Sequence, residues 1–300
     1  MIKLLNSDFA RLGMSRIFRI GILASAIVGI LGPIVAHINK IYDTLNSILR
    51  GKNLLNVDDY YLDYHFFHYY FIAALIIILF CCYYIGVEYN SGTFRNKIAA
   101  GHSRNVVYLS MFLTNAASGC ILYSVYLITD LCVGLPLLGT FQYYDRREIA
   151  LFVLCAYCCI IALSSLTTML VMLIPNITLS TVICMGLALA LFYFTFDYQI
   201  GPLSLTEIFD ADTIIGDTYY SAGSIDPYYV GGMRREISCF FLNFLPTGQI
   251  MEFCSLSNDY YRYFIAFDNI NPYIMFGGNA FFTAASIITG LCFFRKKNLN

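Results

Sequence analysis

Six stretches of the chain hold apolar residues with almost no charged interruption over the ~20 positions that a helix needs to cross a hydrocarbon layer. They are Ile17 to Ala36, Phe66 to Val87, Val106 to about Leu138, Ile149 to Ile174, Thr178 to Phe196 and Pro272 to Phe294. Backbone groups in lipid must be satisfied within their own segment, so each stretch predicts a helix rather than an open strand. The third helix reaches about 48 Å at 1.5 Å per residue, which exceeds the hydrocarbon thickness and predicts tilt or projection. Pro175 and Asn176 alone separate the fourth and fifth stretches, so a proline-stopped turn makes these spans antiparallel neighbours.

Three polar segments outside the spans carry their own periodicity. Residues 1–16 put Ile2, Leu4, Leu5, Phe9 and Leu12 near one face, with Lys3, Arg11 and Arg16 free to meet anionic headgroups. This predicts an interfacial amphipathic helix, with an unstructured leader as the alternative. In the 88–105 loop, Gly92 breaks the second span, Thr93 is placed to cap, Phe94 to Ala100 form one or two turns, Gly101 stops them, and Ser103 caps the third span. Phe94, Ile98 and Ala99 share one side of that short helix while Arg95 and Lys97 project elsewhere. An apolar knob flanked by cations suits a groove on another protein; a merely solvated basic loop is the bland alternative. The 197–271 loop is acidic and tyrosine-rich, yet residues 237, 240, 241, 244 and 245 are apolar at helical spacing. Pro246, Thr247 and Gly248 then interrupt before Ile250, Met251 and Phe253. The pattern predicts a re-entrant hairpin if protein buries its broken backbone, or an amphipathic helix lying at the interface.

Composition agrees and excludes an ordinary soluble enzyme: 59% of the 300 residues are apolar and 12% are charged, against about 25% charged in soluble domains. The mean hydropathy is +0.67. Charge also sets orientation. The side holding the first 19 residues, the 88–105 loop and the tail carries ten Lys and Arg against two acids, whereas the other side carries eight against sixteen. The first side is therefore expected in the cytoplasm with both termini. The small-residue triplet Ala24, Ser25, Ala26 lies within the first apolar run rather than after it, which argues against a cleaved leader. A net charge of -1 gives no case for nucleic acid.

Sequence chemistry is sparse. No HExxH, GxSxG or dinucleotide fingerprint occurs, and the single Gly51-Lys52 pair lacks the flanking residues of a phosphate-binding loop. ATP-driven work therefore needs a separate subunit. Nine of eleven cysteines lie in apolar runs and read as small buried fillers; Cys239 and Cys254 are candidates for a disulfide, and Cys155 with Cys158 forms an isolated CxxC. Asp63, His65 and His68 are weak candidates for a divalent metal. Asn176 begins a sequon on the expected cytoplasmic side and is read as chance. Asp130 is the one acid inside a span, a candidate pathway or proton site, and Asn115 with Thr114 and Ser118 polarises the same helix.

The loop run Glu88, Gly92, Thr93, Arg95, Lys97, Gly101, Ser103 and Arg104 resembles the Glu-x3-Gly-Thr-x-Arg-x-Lys-x3-Gly-x-Ser-Arg pattern of permease subunits in the type-two ABC exporter family. That bacterial group includes peptide-antibiotic and lantibiotic self-protection transporters. Asp226 to Arg235, Phe244 to Gln249 and the basic Phe-Arg-Lys-Lys ending are similar too. The resemblance implies an all-α polytopic membrane protein, one transmembrane permease domain over residues 1–300 in the bacterial plasma membrane. Its parts are a cytoplasmic interfacial helix, six spans, a coupling helix between spans two and three, and re-entrant outer helices before span six. It implies that Glu88, Thr93, Phe94, Arg95, Lys97, Ser103 and Arg104 contact or position an ABC ATPase subunit, with Gly92 and Gly101 shaping the helix. A second permease copy or paralogue completes the assembly, and ATP and Mg belong to the partner, with no cofactor in this chain. Asn115 and Asp130 are candidates for the substrate path. An ion-coupled secondary transporter and a membrane sensor or resistance scaffold are the rival readings.

Overall fold

The computed structural model describes residues 2–49, 62–142, 145–174, 176–195, 213–215, 218–221, 223, 231–255 and 271–296. Among the described residues the regular structure is helical apart from one short antiparallel pair. Helix α1 is Ile2–Met14, α2 Arg16–Leu49, α3 Leu62–His65, α4 Tyr70–Asn90, α5 Thr93–Ala99 and α6 Arg104–Leu138. Then come α7 Arg146–Leu173, α8 Ile177–Phe194, strands β1 Thr213–Ile215 and β2 Thr218–Tyr220, and helices α9 Met233–Phe244, α10 Pro246–Ser255 and α11 Pro272–Lys296. The Asp226 to Val230 part of the family-like run and most of the 197–271 loop lie outside the described residues.

Six of these helices, α2, α4, α6, α7, α8 and α11, are long and apolar enough to cross a membrane, and they match the six predicted stretches. The chain is a multi-pass membrane protein. Two limits shift. The first helix continues past Ala36 to Leu49, carrying Pro33 inside it, and the second begins at Tyr70 rather than Phe66 because residues 66–69 form turns.

Local chemistry accounts for the ends. Asp145 and Glu148 form a reciprocal capping box at α7, with the Glu148 carboxylate accepting from Asp145 N at 3.1 Å. Asn176 caps α8 by accepting from Leu179 N at 3.2 Å, so this residue has a structural task in place of the chance sequon. Asn271 caps α11, and both α10 and α11 start on a proline, whose missing N–H is no loss in a first turn.

Helix α6 is the central pillar. It packs along α2, α7, α4, α1 and α11, while α7 packs along α11, α4 and α8. Gly29 lets α2 approach closely, since a side chain there would run into Thr129 and the Tyr126 carbonyl of α6. The core is strongly aromatic, with Tyr70, Tyr108, Tyr123, Tyr126, Phe253 and Phe294 fully buried. Much of the outward apolar surface, including Ile20, Val182 and Ile288, is exposed, as a lipid-facing surface must be.

The helix pair before α11 is real, but its break falls elsewhere than expected. Only Leu245 separates α9 from α10, because Pro246 begins the second helix where it was expected to interrupt. Helix α10 packs against α4, α7, α8 and α11, and Cys159 Sγ donates to Pro246 O at 3.2 Å. A cavity of about 90 Å³ lies beside this corner, between Leu163, Leu170, Cys184, Leu187, Pro246 and Phe282.

Candidate functional site

The seven-residue helix α5 owes its shape to a glycine at each end. Gly92 (φ 70°) is the N-cap, so Thr93 is the first helical residue rather than the cap, and its hydroxyl lies 2.7 Å from Ser91 Oγ. At the other end Gly101 (φ 90°) closes a Schellman turn: its N–H donates to Ile98 O at 2.9 Å and His102 N donates to Lys97 O at 3.3 Å. Ser103 then caps α6 by accepting from Val106 N at 3.5 Å, as the sequence predicts. Two reversals of chain direction thus hold α5 against the ends of α4 and α6.

The faces of α5 are not distributed as the spacing suggests. Phe94 is turned inward at 2% exposure, with Tyr89 and Phe294 at centroid distances of 5.5 and 6.4 Å, so it serves this chain's own core. It is no free knob. Lys97 is also inward, at 5% exposure. Its Nζ lies 2.8 Å from Asp8 Oδ1 and 3.5 Å from Glu88 Oε2, and 5.5 Å from the centre of the Phe94 ring. The outward face is left with Arg95, Asn96, Ala99 and Ala100, all exposed, flanked by exposed Ser91, Gly101 and Ser103.

Around Lys97 stands a closed network of charges. Arg11 Nη1 donates to Glu88 Oε2 at 3.1 Å and its Nη2 lies 3.3 Å from Asp8 Oδ1. Ser110 Oγ donates to Asp8 Oδ2 at 2.6 Å, and Tyr84 OH donates to Asp8 O at 3.4 Å. Two carboxylates and two cations from α1, α4 and α5 cancel one another, and α6 adds the hydroxyl. Mutual compensation makes such burial tolerable, since an unmatched buried charge costs several kcal/mol. Asp8 and Arg11 did not stand out in sequence as members of a site. The available signal was Asp8 itself, an acid at the centre of the Leu4, Asp8, Leu12 stripe that α1 buries.

Arg104 turns to the end of α11, where Nη1 donates to Arg295 O at 3.1 Å and lies 3.5 Å from Phe294 O. It satisfies carbonyls that a helix C-terminus leaves unpaired. Arg295 answers with a bond from Nε to Asn105 Oδ1 at 2.8 Å. Thus Glu88, Lys97 and Phe94 meet in one inward cluster, Arg104 ties α6 to α11, and Arg95 alone of the predicted cations on α5 faces out.

Of the two path candidates, Asn115 lies five residues along α6 from Ser110 of this cluster, about 7.5 Å, and Asp130 lies fifteen residues further on. Asn115, fully buried, donates from Nδ2 to Thr168 Oγ1 at 3.1 Å and joins α6 to α7. Asp130 lies 26 residues beyond Arg104, about 39 Å along α6 at 1.5 Å per residue. It is fully buried, neither oxygen has a hydrogen-bond partner among the described residues, and Gly32 of α2 lies against it.

A further buried acid is hard to recognise in sequence because it falls within the acidic 197–271 loop. Glu252 of α10 is 0% exposed, and burial pushes its carboxyl well above the usual carboxylate range. The apolar neighbours Ile250, Met251 and Phe253 were the sign. Nearby, Gln249 Nε2 donates to Asn243 O at 2.8 Å and Asn279 Nδ2 donates to Gln249 Oε1 at 2.8 Å, tying both arms of the α9–α10 pair to α11.

The remaining metal and thiol candidates do not assemble. His65 and His68 meet edge-on with centroids 6.2 Å apart, but no group of three ligating residues forms among the described residues, and the Asp63 side chain is outside them. Among the described residues Cys155, Cys158 and Cys239 are thiols without a disulfide, so Cys239 is not bonded to Cys254. Cys254 donates to Phe67 O at 3.5 Å, and burial pushes its thiol up to about 12, which keeps it unreactive. No family model matches the chain, and no curated protein or solved structure matches it.

Proposed function

We propose that this chain is the permease subunit of an ATP-driven ABC exporter of a peptide, antibiotic or other amphipathic substrate, working with a separate ATPase and a second permease. The observation that carries the reading is the placement of α5. A short helix with Arg95 and Asn96 on its outer face stands between the ends of two spans, and its inner face is bound to α4 through Lys97 and Glu88, to α6 through Lys97 and Met111, and to α11 through Phe94. Such a helix can receive a push at Arg95 and Asn96 and pass it to α4 and α6 without sliding over them. It fits the loop pattern of type-two exporters, and the excess of Lys and Arg at this end supports a cytoplasmic position for it, with the spans in a bacterial plasma membrane in this reading.

In this reading nucleotide binding in the ATPase displaces α5, the coupling helix, and the attached spans rock to alternate access to a path at the permease dimer centre. The α9–α10 pair is the re-entrant outer element, with α10 enclosed by four spans so that its broken backbone is kept from lipid. The chain itself carries no hydrolytic step. The test is purification of the tagged chain from its own membranes in mild detergent, with mass spectrometry of copurifying proteins, for wild type and Arg95→Glu. An ATPase with a Walker motif should accompany wild type and be lost from the variant, which still reaches the membrane. Recovery of no such ATPase with either chain overturns the assignment.

One observation favours ion-coupled transport instead, the fully buried carboxyl of Asp130, which has no hydrogen-bond partner among the described residues. Transport that survives nucleotide depletion and is abolished by Asp130→Asn would establish that reading.

A further inference from the structure

Helix α1 is joined to the first span through Ser15, the one non-helical residue between Met14 and Arg16. Thirteen residues of rigid helix therefore sit on a short joint at the head of α2. Leu4, Asp8 and Leu12 bury the inner face of α1 against the bundle, yet the leucines offer no direction and can slide on their neighbours. The directional link is polar. Asp8 Oδ1 takes Lys97 of α5 at 2.8 Å and Asp8 Oδ2 takes Ser110 of α6 at 2.6 Å, so its two oxygens tie α1 to two different elements. Arg11, one turn later, ties α1 to α4 through Glu88 at 3.1 Å.

We infer that Asp8 and Lys97 are positioning residues that make α1 part of the coupling element, so that displacement of α5 is delivered through α1 to span one as well as directly to spans two and three. The inference rests on the coupling reading above and adds a route that the loop between spans two and three does not contain. The pair suits the task because both members are buried. Water cannot replace either partner during a small movement, so α5 and α1 move together or the network opens at a large cost. It is also separable. Removing Asp8 and Lys97 together leaves Arg11 paired with Glu88 and the cluster still neutral.

The test uses the copurified full complex in lipid nanodiscs and follows amide hydrogen exchange with and without ATP and vanadate. Wild type should show a nucleotide-dependent change at 93–99 and also at 2–20. The double variant Asp8→Asn, Lys97→Met should keep the change at 93–99 and lose it at 2–20, while exchange of 2–14 without nucleotide stays as in wild type. A wild-type complex whose 2–20 segment is silent to nucleotide, or a double variant that responds as wild type does, overturns the inference and leaves the coupling reading standing. Loss of protection of 2–14 already without nucleotide reduces the pair to a structural clamp and also overturns it. Absence of any copurifying ATPase overturns the coupling reading and this inference with it.

Discussion

At the level of single residues, the chemistry that matters is in pairs that the sequence places far apart. Lys97 and Asp8 are 89 positions apart and meet at 2.8 Å, so neither periodicity nor spacing could join them. Their burial makes the energetics asymmetric. Lys97→Met alone leaves two carboxylates against one arginine and should lower stability by about 3 kcal/mol. The double change Asp8→Asn, Lys97→Met should cost clearly less than the two single changes added together. Thermal unfolding of the detergent-solubilised single and double variants gives this coupling directly, and simple additivity would mean that the two charges do not interact. Glu252 gives a second prediction. Its folded carboxyl holds a proton to higher pH than in the unfolded chain, so the native state binds more protons across that interval and stability falls as pH rises. Glu252→Gln mimics the protonated form and should flatten the decline over the pH range above the usual carboxylate values. Unfolding midpoints measured across that range would show parallel curves for the two proteins if the carboxyl were solvated.

At the level of elements, six spans were legible because about twenty apolar residues in succession admit few other structures. The ends of α5 were legible as well, since glycine at 92 and 101 marks reversals that other residues resist. The orientation of α5 was not. Phe94 and Lys97 are three positions apart and both face inward, and only contact with Tyr89, Phe294 and Asp8 decides that this face is the inner one. The same limitation misplaced the hairpin break, where proline had two valid readings, helix stop or first helical residue. Gly101 allows a clean test of the element. A methyl group there meets nothing within 4 Å, so the effect of Gly101→Ala is confined to the backbone at φ 90°. A left-handed non-glycine residue costs about 1 to 2 kcal/mol, and amide exchange of residues 97–102 should speed up by roughly tenfold with the rest of the bundle unchanged. Unaltered exchange would show that the Schellman turn does not hold the helix end. By the same reasoning Phe94→Ala should damage the packing of α4, α5 and α11, lowering the yield of folded chain before any partner is involved.

At the level of the whole molecule, the charge bias predicted which ends lie together, and the contacts of α1, α5 and the end of α11 gather these residues at one pole. What composition could not supply is the distance between the two places where energy could enter. The ion network with Lys97 stands at one pole, and Asp130 lies about 39 Å along α6 from Arg104, toward the other. Both touch the same pair of spans: α1 leads into α2, and Gly29 and Gly32 of α2 press on α6 beside Asp130. A push at the α5 pole therefore has a continuous helical route to this acid, and a change of charge at the acid has the same route back. The direction of causation is open to experiment. If nucleotide drives the cycle, Asp130→Asn preserves the side-chain volume and the nucleotide-dependent exchange change at 93–99 persists in the variant complex. If ions drive it, acidification alone alters exchange at 93–99 in wild type without nucleotide, and Asp130→Asn abolishes that response. A pH-independent, nucleotide-dependent signal that survives in Asp130→Asn would assign the motor to the α5 pole and leave the acid as part of the packing between spans one and three.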